Sequence, residues 1–236
     1  MKQLHTYLFI ISILISSNIL GQEETKISAR DTLPPSEKYG LRVGIDISKL
    51  IRSAVNDKYS GLEIVGDYRF YKDFYLAAEM GNESLVRDEE NLNVEGSGSY
   101  IRIGIDYNAY DNWYGMQNQI YAGIRYGFST FDQTLNNYRV FTSSSFFPNE
   151  VINNKIESKT LTSSWVELVL GLKVELFGNL YLGANVSLRG TVSEKKPELF
   201  DNLFIPGYGR TNDFSQFGVG YGYSISYLIP FTKRKR

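Results

Sequence analysis

The segment Trp165–Arg189 (WVELVLGLKVELFGNLYLGANVSLR) narrows the fold more than any other stretch. Val166, Leu168, Leu170, Leu172, Val174 and Leu176 fall on one parity. Trp165, Glu167, Gly171, Lys173 and Glu175 fall on the other, with Val169 the exception. After the break Phe177-Gly178-Asn179 the alternation resumes, Leu180, Leu182, Ala184, Val186 and Leu188 against Tyr181, Gly183, Asn185, Ser187 and Arg189. A period of two gives a strand one apolar and one polar face. A short Gly-Asn break joins two such strands as a hairpin.

The same alternation recurs along the chain. A first strand starts near Gly40, with Leu41, Val43, Ile45 and Ile47 opposite Arg42, Gly44, Asp46 and Ser48, and a polar loop over 52–58 follows. Strand two sets Leu62, Ile64, Tyr68 and Phe70 against Glu63, Asp67 and Arg69. A tight turn over 71–73 leads to strand three, with Phe74, Leu76, Ala78 and Met80 on its apolar side. A longer polar loop over 82–98 carries Asp88-Glu89-Glu90 and precedes strand four, which holds Ile101, Ile103, Ile105 and Tyr107. A short connection with Trp113 and Tyr114 leads to strand five, from Ile120 to Phe128. The longest connection, 132–163, precedes the opening hairpin. Another long one, 191–213, precedes a last strand with Phe217, Val219, Tyr221, Tyr223, Ile225, Tyr227 and Ile229 on one parity.

About eight strands, joined by alternately longer and shorter connections, predict an all-β protein: an antiparallel up-and-down transmembrane β-barrel with long loops outside and short turns in the periplasm. The prolines at 34, 35, 148, 197, 206 and 230 lie before the strands, in loops or at the end of the last strand, as a closed hydrogen-bonded ladder requires.

The ends of the chain fit this location. Lys2, the apolar run Leu8–Leu20 (LFIISILISSNIL) and the small Gly21 read as a cleaved signal peptide over 1–21, the run being short for a spanning helix. Residues 22–39, polar with Pro34-Pro35, read as a periplasmic leader. The barrel is expected over 40–231, and 232–236 reads as a basic periplasmic tail that either meets anionic headgroups or stops in solvent. Gly222, Ile225 and Tyr227 resemble the last-strand signal that barrel-assembly factors read.

Alternation alone leaves open which face points inward, and a soluble lipocalin-like carrier would hide the apolar one. An eight-stranded barrel is only just wide enough for side chains, so roughly forty Leu, Ile, Val, Tyr and Phe would overfill it. The polar parity is therefore expected inside, as a structural charge network of Arg42, Asp46, Glu63, Asp67, Arg69, Glu79, Arg102, Asp106, Arg125, Glu167, Lys173, Glu175 and Arg189. Such charges fill a narrow lumen in pairs, because unpaired buried charge is costly. Aromatics gather near the strand ends: Tyr59, Tyr100, Phe128, Trp165 and Phe217 at the outer rim; Tyr68, Phe70, Tyr107, Trp113, Phe177, Tyr227 and Phe231 at the inner. Interfacial girdles have this distribution.

Catalysis is opposed by what the sequence lacks. The one histidine, His5, lies in the signal segment, which removes Ser–His pairs, histidine acid–base chemistry and histidine-bound zinc from the mature chain. Cysteine is absent, so thiolate zinc and disulfides are excluded. No catalytic, cofactor-binding or metal-binding residues are expected. Asp88-Glu89-Glu90 lacks calcium-loop spacing and reads as a solvated acidic run. A net charge of −1 gives no case for nucleic acid. The partners left are outer-membrane lipid and lipopolysaccharide, the barrel-assembly machinery, and an unknown protein at the external loops. Phe141–Pro148 (FTSSSFFP) and Leu199–Tyr208 (LFDNLFIPGY) offer apolar groups there, either as partner surface or as loops that pack together and cap the barrel.

From PPSEKYGLRVGIDISKLIR through YNAYDNW, IYAGIRYGFSTF, WVELVLGLKVELFGNLYLG and YLIPF, the chain resembles a domain-of-unknown-function family of small outer-membrane barrels from Bacteroidota. That resemblance implies the same barrel and carries over no functional residue. The expected role is non-enzymatic: structural, or an accessory or binding role through the loops at the cell envelope. Small-solute transport through the barrel and a soluble periplasmic carrier are the alternatives.

Overall fold

A computed structural model describes residues 36–111, 117–139, 151–211 and 215–235. The elements in order are β1 (Ser36–Asp46), α1 (Ile47–Val55), β2 (Tyr59–Tyr71), β3 (Phe74–Glu89), β4 (Leu92–Asn108), β5 (Gln119–Arg139), β6 (Val151–Ile152), β7 (Ile156–Phe177), β8 (Leu180–Glu194), β9 (Phe204–Ile205), β10 (Gly209–Arg210) and β11 (Phe217–Lys235). Eight strands are long, and each pairs antiparallel with two others. Around the ring they run β1, β2, β3, β4, β5, β7, β8, β11 and back to β1, the β4–β5 ladder completing the circuit. No long strand is left with a free edge. The expected signal segment, most of the leader, Trp113, Phe141–Pro148 and Arg236 lie outside the described residues.

Turn chemistry fixes one end of the ring. Gly178 (φ +51°) and Asn179 (φ +72°) form the two-residue β7–β8 turn, and positive φ at both central residues matches the twist of the flanking strands. Pro230 sits at the irregularity where β1 and β11 shift register between Tyr39 and Gly40, the kind of place where a residue without an N–H is tolerated inside a ladder. We call this the turn end and the opposite one the cap end.

The apolar parity points outward. Leu168, Leu170, Ile120, Ile124, Ile103 and Tyr221 are exposed, whereas Arg42, Arg125, Glu63 and Glu167 are buried. Toward the cap end the two faces exchange character. On β5 the outward residues pass from Ile120, Ile124 and Phe128 to Thr130, Asp132 and Thr134, while the inward ones pass from Arg125 to Phe131 and Leu135. Leu85, Val94 and Leu161 are likewise buried in the upper parts of β3, β4 and β7. β3, β4, β5 and β7 thus have a lower part, charged inside and apolar outside, and an upper part with the pattern of a water-soluble sheet.

Two expected loops, 82–98 and 132–163, are in large part strand. β3 and β4 continue to a tight connection at Glu90-Asn91, and β5 and β7 extend to Arg139 and from Ile156. Their polar outward residues masked the alternation, which there runs through Leu85, Val94, Phe131 and Leu135 on the opposite face. At the turn end β1 begins at Ser36 rather than Gly40 and β11 runs to Lys235, with Ser36 opposite Lys235. Part of the expected leader and tail is therefore paired.

A larger departure is α1, where the sequence reading placed strand end and loop. Ile47, Leu50, Ile51, Ala54 and Val55 recur at helical spacing. Asp46, expected in the charge network, caps the helix instead: its carboxylate accepts from the Ser48 N–H at 2.7 Å and the Lys49 N–H at 3.3 Å. Ser53 ties the helix to β2, accepting from the Gly61 N–H at 2.8 Å. The apolar face of α1 stays exposed, Val55 at 82%. We expect Asp46→Ala to cost about 1 kcal/mol of helix stability and to speed tryptic cleavage at Lys49 and Arg52, with Asp46→Ser staying close to wild type. Equal cleavage of all three proteins would discount the cap.

Candidate functional site

The inward charges of the lower ring form two groups. In the first, Arg102 meets Glu63 at 2.7 Å, Glu79 at 2.7 Å and Glu167 at 3.4 Å. Arg125 meets Asp106 at 2.7 Å and Glu79 at 3.5 Å. Glu167 also holds Arg189 at 3.1 Å, and Lys49 reaches from α1 to Glu63 at 3.3 Å and to Glu83. In the second, Asp67 is shared by Lys173 at 2.6 Å and Arg42 at 3.4 Å. Six cations (Arg42, Lys49, Arg102, Arg125, Lys173, Arg189) face six anions (Glu63, Asp67, Glu79, Glu83, Asp106, Glu167), so the interior is neutral. Each charge is thus matched, which burial demands.

Two of these contacts cross the whole ring. Lys173 on β7 and Asp67 on β2 are four strands apart in either direction, as are Arg42 on β1 and Gln119 on β5, which bond at 3.3 Å. Arg42 also lies over the Tyr181 ring at 4.4 Å. Direct bonds between opposite walls leave the middle of the interior filled. Nearer the turn end, Glu175 pairs with Lys38 at 3.4 Å and Arg69 with Asp73 at 3.8 Å.

The cap end is closed by the segment carrying β9 and β10. Phe204 to Tyr208 are all buried. Ile205 and Tyr208 join Tyr100, Phe131, Leu161 and Trp165 in one apolar cluster, and Phe204 joins Tyr59 and Leu85 in another. The segment is tethered by Gln133, which donates to the Asn202 side chain at 2.8 Å and accepts from the Leu203 N–H at 3.0 Å. The Gly207 N–H donates to Glu83 at 2.7 Å, and Arg189 donates to the Tyr208 carbonyl at 2.7 Å. Gly207 has φ +80°, and a Cβ there would run into the Tyr100 ring. For Leu199–Tyr208, of the two readings left open, the structure gives the cap: residues 202 and 204–208 are buried, while Leu199 remains exposed.

Three aromatics assigned to an outward girdle face inward. Tyr59, Tyr100 and Trp165 are 3%, 4% and 0% exposed. Their parity puts them on the charged side, where they form the seam between charge network and cap. Tyr59 donates to Glu83 at 2.7 Å, Tyr100 to Glu63, and the Trp165 indole N–H to Glu167 at 2.6 Å. The indole lies against Gly127, its partner across the ladder, where any side chain would collide with it. Phe128, Phe217, Tyr68, Phe70, Tyr107, Phe177, Tyr227 and Phe231 are outward and exposed.

Beside the cap a cavity of about 500 Å³ opens between α1, the β9–β10 segment and the start of β11. Lys49, Arg52, Glu83, Arg189 and Arg210 surround it. Sequence reasoning missed Arg52, Glu83 and Arg210 because each lay in an expected loop, and Lys49 because it lay between the first expected strand and its loop. The helical period of α1, which sets Lys49 and Arg52 opposite its apolar face, was the available signal for two of them. In the acidic turn, Asp88 pairs with Lys58 at 2.9 Å, Glu89 with Arg87 at 2.6 Å and Glu90 with Arg139 at 3.7 Å. Among the described residues no group of three or more His, Asp or Glu is placed to hold a metal ion.

Residues 4–234 match one family model, Domain of unknown function (DUF6048). The chain belongs to the DUF6048 family. No curated protein matches it. Among solved structures, the DUF6048 chain is similar to Acinetobacter baumannii CarO2, with 11% identity and a TM-score of 0.38 over 82% of this chain and 99% of that one. So distant a likeness says nothing about role.

Two measurements check the DUF6048 interior. Arg102→Met leaves Glu63, Glu79 and Glu167 without their shared cation. It should destabilise the fold by about 3–5 kcal/mol, read as a lower urea midpoint in detergent micelles, with Arg102→Lys intermediate. Gly207→Val should unseat the cap. In a Trp113→Phe background, which leaves Trp165 as the single tryptophan, its emission should shift to the red and become quenchable by acrylamide. An unchanged spectrum would count against the cap.

Proposed function

We propose that the chain is an integral β-barrel of the bacterial outer membrane, with a filled interior and no catalytic activity. It serves the envelope as a structural element or through ligands and partners bound at its capped end. The observation that carries this reading is the outward apolar belt of a closed ring whose charges, at the level of that belt, face in. An exposed apolar surface of that extent suits hydrocarbon rather than water. On β7 the belt runs from Val166 to Leu176. Those residues cover roughly 33 Å along the strand, or about 25 Å of height at the usual tilt, which is the thickness such belts have.

The export signal expected over 1–21 and the resemblance to small Bacteroidota barrels belong to the same reading, with the turn end periplasmic and the cap end external. Its partners are outer-membrane lipid and lipopolysaccharide, the assembly machinery during biogenesis, and a protein at the cap end. Small-solute transport is the weaker reading, because the Lys173–Asp67 and Arg42–Gln119 bridges obstruct the path. A soluble carrier of apolar ligands is weaker still, since charge lines the interior.

The reading predicts that the protein stays in washed outer membranes and migrates faster on gels before boiling than after. Planar bilayers holding the wild type should show no steady conductance, whereas Lys173→Ala combined with Arg42→Ala should give measurable current. Recovery in the soluble periplasmic fraction would remove the membrane assignment. Steady wild-type conductance would promote transport in its place.

A further inference from the structure

Two of the cations around the cap-end cavity are left without a carboxylate partner. Lys49 is engaged by Glu63 and Glu83, and Arg189 by Glu167 and the Tyr208 carbonyl. Arg52 and Arg210 have no carboxylate within ion-pair distance among the described residues. Glu89, whose charge Arg210 feels at longer range, is already bonded to Arg87. Arg52 lies over the Tyr59 ring with its guanidinium carbon 3.8 Å from the ring centre. Stacking uses the face of a guanidinium and leaves its edge N–H groups free, which is the geometry that grips an oxyanion with two parallel bonds.

The cavity's shape adds to the argument. Gly218 and Gly220 line it without side chains, and 500 Å³ exceeds what a lone phosphate needs. Ser48 adds a hydroxyl to the lining. Val219, exposed on β11, lies at the cavity's lip, and the helix that lends Ser48, Lys49 and Arg52 to the lining carries an exposed apolar face of its own (Leu50, Ile51, Val55). A ligand held there would have its charge and sugar in the cavity and any acyl chain against apolar surface.

We propose that this cavity binds a phosphorylated sugar, with Arg52 and Arg210 sharing the phosphate oxygens. The group is either the headgroup of an outer-leaflet glycolipid or a free sugar phosphate. The lipid form rests on the membrane-barrel reading, whereas the free form does not.

The test uses the full chain folded in detergent micelles, with gel mobility before and after boiling as a fold readout independent of the ligand. Calorimetric titration with glucosamine 1-phosphate, with a phosphorylated disaccharide glycolipid and with the same glycolipid dephosphorylated supplies the binding data. Wild type should bind both phosphorylated probes and not the dephosphorylated one. Arg52→Gln and Arg210→Gln should each weaken binding by about tenfold or more, with mobility unchanged. Glycolipid binding at least tenfold tighter than the free sugar phosphate would make the lipid the ligand, and equal affinities would make it the free sugar. No binding of either, binding of the dephosphorylated glycolipid alone, or undiminished binding by the double variant would overturn the proposal. A normal mobility shift without binding sinks the site alone. Binding without the shift sinks the membrane reading and leaves the site.

Discussion

A charge removed from water is stable only beside its counter-charge, and that constraint organises the ring from within. Arg102 holds three carboxylates from three different strands, so its position is dictated by β2, β3 and β7 together. Asp67 does the same for β1 and β7 from the opposite wall. The network therefore does what an apolar core does elsewhere: it decides which strands face one another and at what register. Neutrality is part of the design, since one unmatched charge would leave several kcal/mol unrecovered.

Above the network the same strands obey different physics. Once the outward residues become Thr130, Asp132 and Thr134, the inward ones are free to be apolar. Phe131, Leu161 and Leu85 then help to supply a pocket for Phe204, Ile205 and Tyr208. Tyr59, Tyr100 and Trp165 join the two regimes, with rings in the apolar cluster and polar atoms on Glu83, Glu63 and Glu167. That dual role explains why these aromatics lie at the level where an interfacial girdle was expected, yet on the inner side.

The lower ring was legible in the sequence because one period and one polarity run unbroken through Val166–Leu176 or Ile120–Phe128. The thirteen expected interior charges need nothing more than that parity to be placed on the inner face; what it does not give is that Asp46, itself buried, caps a helix. The upper ring was not legible, because polarity reverses there while the period does not. A reader following apolar residues on one face loses the strand at Asn82 or Thr130. The cavity was hidden for a related reason: Arg52 comes from a nine-residue helix and Arg210 from a connection after β8, and only the closed ring brings them to Arg189.

The position of the cap segment in the chain has a consequence for assembly order. It lies between β8 and β11, yet it rests on residues of β2, β3, β4, β5 and β7. It enters the mouth from the connection that leads into the last strand, β11, which pairs with β8 on one side and closes the ring on β1 on the other. The mouth is consequently sealed together with the ring, and a chain arrested before its final strand would present an open, water-filled vestibule lined by aromatic side chains.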